Sequence, residues 1–139
     1  MSITTCVTVQ YKSDIIQGFQ NLSNTYMVAL YTSSAVLGPT TAVYTTSNEC
    51  NGGNYPAGGI VMPAPSAVTS DTVEILTFSN PTFINLTLAD VRGCIIYNSS
   101  VSNDTVAIFD FGVSISLFTS NFTLIVPAAT ATTGLISLN

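Results

Sequence analysis

A chain of 139 residues has room for one ordinary hydrophobic core and not for two, so it reads as a single domain over 1–139. Charged residues make up 6% and apolar residues 47%, the reverse of a disordered chain and far from the roughly 25% charge of an average soluble protein. Seven acids face only Lys12 and Arg92, for a net charge of −5, and this excludes nucleic-acid binding, which draws on several basic contacts to phosphate.

Residues 1–24 read as a strand followed by a helix. Met1–Gln10 has no basic segment followed by an apolar core, so as written it is not a secretory signal; the expectation is a chain cytoplasmic when made, or one trimmed of a leader. Residues 3–9 alternate Ile3, Val7 and Val9 with Thr4, Cys6 and Thr8, the period of a half-buried strand. Ile15, Phe19 and Leu22 then fall at helical spacing, with Asp14 and Gln17 imitating a capping box and Gly18 costing about 1 kcal/mol in the middle.

Tyr26–Tyr31 is apolar on both faces, as expected of a strand covered on both sides. Residues 32–59 are the least regular stretch, bounded by Gly38-Pro39 and by the Gly-rich run from Asn51 to Gly59, with a short strand expected at Ala42–Thr45. A loop of this length in a compact domain is usually functional or ordered by a neighbour, which makes it the first candidate interface. Tyr44 and Tyr55 are its candidate anchors, since aromatic side chains dominate interface energetics.

Further strands are expected at Gly59–Met62, Thr72–Phe78, 83–88, Val91–Tyr97, Val106–Phe111, Val113–Leu117, Phe122–Val126 and Leu135–Leu138. Within 83–88, Ile84, Leu86 and Leu88 share one face. Short strands at this spacing predict an all-β, antiparallel β-sandwich, jelly-roll-like or immunoglobulin-like, with one short N-terminal helix. No apolar run approaches the roughly 18 residues of a membrane-spanning helix, so no membrane partner is expected.

Without histidine the chain lacks the usual general base, the serine and cysteine triads and the commonest metal ligand. Paired carboxylates, Asp71 with Glu74 or Asp104 with Asp110, are the remaining route to hydrolysis, but there is no tryptophan to form a sugar platform. Asp110-Phe111-Gly112 has none of the other kinase motifs around it. The Gly-rich loop lacks the ending of a phosphate loop. The expectation is therefore no enzyme, no catalytic residue, no metal and no cofactor.

Cys6, Cys50 and Cys94 fit neither a disulfide framework nor a zinc site and read as small buried residues, with a Cys50–Cys94 bridge as the alternative. Arg92 shares a strand face with Asp90; it makes either a local ion pair with that acid or a contact to an acid of a partner. A surface of hydroxyls and amides offers little repulsion between copies, which favours an assembly subunit over a monomer.

Three segments together resemble a family of small virion structural proteins of tailed bacteriophages. They are Met27–Gly38 continuing through Thr40–Glu49 to Gly59; Asp90–Asn98 followed by Val106–Gly112; and Phe122–Pro127 with Leu135–Leu138. Cys50 and Cys94 depart from the small or aliphatic residues of that pattern, as does Val113-Ser-Ile-Ser116 from its more charged turn. The resemblance implies a β-sandwich of the virion, made in the host bacterial cytoplasm. Its implied role is a head decoration or cement subunit packing on the major capsid protein, on copies of itself, or on both. The alternative is a tail- or neck-associated structural or carbohydrate- or receptor-binding module.

Overall fold

The computed structural model describes residues 2–130 and 132–138. Two antiparallel sheets and one short helix form a sandwich-like all-β fold, as the strand periodicity predicts. In chain order the elements are β1 (Cys6–Val7), α1 (Val9–Gln17), β2 (Tyr26–Tyr31), β3 (Ile60–Val61), β4 (Ser66–Ser70), β5 (Val73–Thr77), β6 (Thr82–Asn98), β7 (Asp104–Thr123) and β8 (Ile136–Leu138). The larger sheet has the order β1-β7-β6-β2-β3 and the smaller β4-β5-β8.

The predicted strands at 83–88 and Val91–Tyr97 are one strand of 17 residues, and those from Val106 to Thr123 are one strand of 20. Their pairing, from Asn98↔Asp104 at the turn to Thr82↔Thr123 at the far end, slips at several points. Asn85, Gly112 and Thr119 have φ of 51°, 82° and 48° there, the signature of bulges that bend a strand and re-aim its side chains. The bulge between Phe83 and Leu86 overturns the expected face: Phe83, Leu86 and Leu88 are buried, and Ile84 is 53% exposed. The bends also bring Phe111 and Phe122, both on β7, into edge-to-face contact at 6.0 Å.

The helix starts six residues before the expected cap. Thr8 is its N-cap, its hydroxyl accepting from the Tyr11 amide at 3.2 Å and donating to the Thr105 carbonyl at 3.1 Å. Gly18, at φ 79°, is the C-cap and not an interior residue, because a residue without Cβ takes the left-handed conformation that closes a helix without strain. Asp14 is therefore inside the helix and buried, while Phe19 and Leu22 lie beyond it, 50% and 46% exposed. The expected strand at Ala42–Thr45 is a single bridge from Val43 to Asp104, and β4, which was not expected, supplies an edge of the smaller sheet.

Val28, Leu30, Val91, Ile96 and Val106, with Phe83 and Leu86 from the far half of β6, form the inner core together with Ile136 of the smaller sheet. A smaller cluster of Ile3, Ala29, Tyr31, Leu37, Ile95 and Ile108 covers the opposite face of the larger sheet. Gly59, at φ 84°, lies where an added Cβ would stand 1.8 Å from the Val28 carbonyl oxygen. Gly59→Ala therefore costs at least about 2 kcal/mol, combining left-handed strain with a backbone clash, and urea denaturation would read that loss as a lower midpoint at unchanged slope.

Candidate functional site

Residues 32–59 fold back on their own domain. Glu49 Oε1 accepts from the Tyr44 hydroxyl at 2.6 Å, and Oε2 accepts from the Tyr55 hydroxyl at 2.7 Å and the Gly58 amide at 2.8 Å. Bonds to an ionised carboxylate are the stronger kind of hydrogen bond. Tyr44 also stacks on Tyr97 with ring centroids 4.7 Å apart, and the Tyr97 hydroxyl donates to the Gly58 carbonyl at 2.6 Å. Burial and then the bond to Glu49 push both the Tyr44 and Tyr55 hydroxyls well above the usual tyrosine range.

The loop in turn closes one margin of the larger sheet. Past the short β3, the Leu30 amide donates to the Tyr55 hydroxyl at 2.9 Å, the Cys50 amide to the Leu30 carbonyl at 2.8 Å, and the Thr32 amide to the Asn48 carbonyl at 3.0 Å. Backbone groups of β2 that would face solvent are thereby paired. Tyr44 and Tyr55, the expected outward anchors, have their hydroxyls committed inside the chain.

Arg92 is placed differently from its expected local pairing. Its Nε donates to Asp110 Oδ1 at 2.7 Å, across the β6–β7 ladder, and both side chains remain about one-third exposed. The ladder is irregular at this point: it slips between Val91 and Gly93, and Asp110, opposite Gly93, reaches the neighbouring Arg92 there. Asp90 accepts instead from the Ser33 amide and hydroxyl through Oδ2, at 3.1 and 2.6 Å, and these bonds hold its carboxyl below the usual range. Its Oδ1 is buried without a hydrogen-bond partner among the described residues. The nominal pair of Asp104 and Asp110 is not brought together as a pair, because Asp110 binds Arg92 while Asp104 faces Asp14, the Gln10 side-chain amide reaching both at 3.3 and 2.9 Å.

Cys50 and Cys94 are buried and unbonded, and Cys6 is free and half-buried. Burial pushes the Cys50 and Cys94 thiols up to about 12, so both are inert small core residues. No group of three or more His, Cys, Asp or Glu side chains suited to a metal occurs among the described residues.

Two surface features were missed by sequence reasoning. An apolar groove of about 390 Å³ opens beside the bend of β7, lined by Met62, Phe109, Phe111, Phe122, Leu124 and Val126. The second is the outer edge of β7. Its only strand partner on that side is β1, opposite Ala107 and Ile108, so beyond Phe109 the edge is open among the described residues. From Phe111 to Thr123 it carries no charge and no proline, the devices that usually protect an edge. Val113 is 61% and Phe118 82% exposed along it. No protein-family model, curated protein or solved structure matches the chain.

Two tests follow from the acids of this region. Glu49→Gln removes the charge and puts an amide nitrogen, which cannot accept, in place of one carboxylate oxygen, so it is expected to cost about 1–3 kcal/mol, with faster hydrogen exchange confined to residues 44–58 as the local readout. Burial, then the hydrogen bond and charge of Asp14, raise the Asp104 carboxyl above its ordinary value. Protonated Asp104 therefore favours the fold; that contribution is complete below the ordinary carboxylate value and is lost as pH rises through the raised one. Asp104→Asn is expected to raise Tm at pH 7 by on the order of 2 °C and to leave it unchanged at pH 3.

Proposed function

We propose that this chain is a structural subunit with no catalytic role, which acts by burying surface against protein neighbours, and that its setting is the virion of a tailed phage, as a decoration or cement subunit on the head. The observation that carries the reading is the outer edge of β7, which beyond Phe109 has no strand partner among the described residues and bears exposed Val113 and Phe118 and, from Phe111 to Thr123, no charge. Such an edge forms main-chain hydrogen bonds to any strand laid beside it, and alternate side chains supply specificity. The three ordered segments, Met27–Gly38 through Thr40–Glu49 to Gly59, Asp90–Asn98 with Val106–Gly112, and Phe122–Pro127 with Leu135–Leu138, supply the phage setting by resemblance. The major capsid protein is the proposed neighbour beneath it.

The near absence of charge is of a piece with this role, because a crowded lattice places copies within a Debye length of one another, about 8 Å at physiological salt. Purified virions should contain the chain in a copy number comparable with that of the major capsid protein. Particles assembled without it should lose infectivity faster on heating and osmotic shock. Equal resistance with and without the chain, together with its absence from the head, would overturn the decoration role.

A further inference from the structure

We infer that the open edge of β7 is a self-pairing strand: two copies of this chain join edge to edge, antiparallel, about a two-fold axis at Ser116, continuing the larger sheet through both molecules. This rests on the reading of β7 as the binding edge and names its occupant. The geometry of the strand supplies the register. Extended backbone without positive φ runs from Val113 to Phe118, between Gly112 at φ 82° and Thr119 at φ 48°, and the bulges at those positions end regular pairing.

From Ser114 to Phe118 the side chains alternate, while Val113, next to the bulge at Gly112, is exposed. Ile115 and Leu117 face the core, where they are half-buried against the inner cluster. Ser114, Ser116 and Phe118 face outward and are exposed. A two-fold axis normal to the sheet pairs residues of the same face only, because opposed residues on antiparallel strands share a face. Centred on Ser116, it sets Ile115 opposite Leu117 of the other copy, Ser116 opposite itself, and Ser114 opposite Phe118.

Each of these pairs is complementary. Ile115 and Leu117 extend the apolar inner face of each sheet into the other. Phe118, 82% exposed in the single chain, lies over the small Ser114 of its neighbour, so the bulkiest side chain of the window meets one of the smallest, twice by symmetry. Charge points the same way. The chain carries −5 overall, so two copies repel except where no charge is present, and Phe111–Thr123 is such a stretch. A basic partner would find no acid along this window to bind. The opposite margin of the sheet, on β2, is occupied by the chain's own loop through Leu30, Cys50 and Tyr55, so pairing on β7 yields a closed dimer and not a filament.

The test uses the full-length protein and three variants. Light scattering on a sizing column should show wild type moving from monomer to dimer as concentration rises. Ser116→Lys puts two ammonium groups face to face on the axis and should remain monomeric, with an unchanged circular dichroism spectrum. Ser116→Cys, built on Cys6→Ser to remove the half-buried thiol, brings two thiols to a Cα separation of about 4.5–5.5 Å, which a disulfide spans. With oxidised glutathione as the oxidant it should form a covalent dimer, while the Cys6→Ser parent does not.

Wild type that stays monomeric, Ser116→Lys that still dimerises, or Ser116→Cys that fails to cross-link while the dimer persists would each overturn the pairing. Failure of the self-pairing is distinguishable from failure of the decoration role. A monomeric wild type whose binding to particles is abolished by Ser116→Lys overturns self-pairing and keeps the edge as the head-binding surface. A cross-linked dimer from a chain absent from virions supports the pairing and overturns the role.

Discussion

The carboxylate of Glu49 holds the long loop against the sheet, and the shape of the available surface follows from it. One carboxylate gathers two tyrosine hydroxyls and a backbone amide spread from Tyr44 to Gly58, fixing a stretch that has almost no ladder of its own. Once fixed, the loop supplies the donors and acceptors that the margin of β2 lacks. An acid is effective here because the chain has so few charges: among the described residues Arg92 pairs with Asp110, and no cation competes for Glu49. The tyrosines around it are driven far from ionisation by burial, so they remain donors at any physiological pH.

Closing one margin of the larger sheet and leaving the other open gives that sheet a direction. A sheet with both edges open is a template for indefinite stacking; a sheet with one open edge can pair once. Most water-soluble domains protect such an edge with lysine or proline, and the absence of both along β7 is the same compositional bias that runs through the whole sequence. Hydroxyls and amides hydrate such a surface without setting up long-range repulsion.

The strands were legible in the sequence because period-two alternation survives where one face is buried, as at Ile115 and Leu117, and a short run apolar on both faces marks a covered strand, as at Tyr26–Tyr31. Their continuity was not. Positive φ at Asn85, Gly112 and Thr119 shifts the alternation out of phase, so one bent strand reads as two or three short ones, and Ile84 is assigned the face that Phe83 takes. Asparagine and glycine at two of these positions were available as signals. The helix was legible as a segment but displaced, because Asp14-Gln17 imitates a cap more closely than Thr8 does, and only the contact of Thr8 with Thr105, 97 residues away, decides between them. The role of Glu49 depends on contacts with Tyr44, Tyr55 and Gly58 that follow no helical or strand period. The open edge depends on strand order, which no local pattern encodes; its lack of charge was visible, its position was not.

The length of β7 bears on how well such an edge can work. Its first half lies in the core, with Val106, Ala107 and Ile108 fully buried, and its second half carries the open edge, with no loop between them. Ile115 and Leu117 belong to both, since their side chains pack on the inner cluster while their backbone borders the open side. An edge held in this way is ordered before any partner arrives, so association loses little backbone entropy, the term that weakens binding by flexible segments. The same coupling restricts what can pair there. A partner strand must match a backbone already bent at Gly112 and Thr119, and that requirement selects for shape where the composition provides no charge to select with.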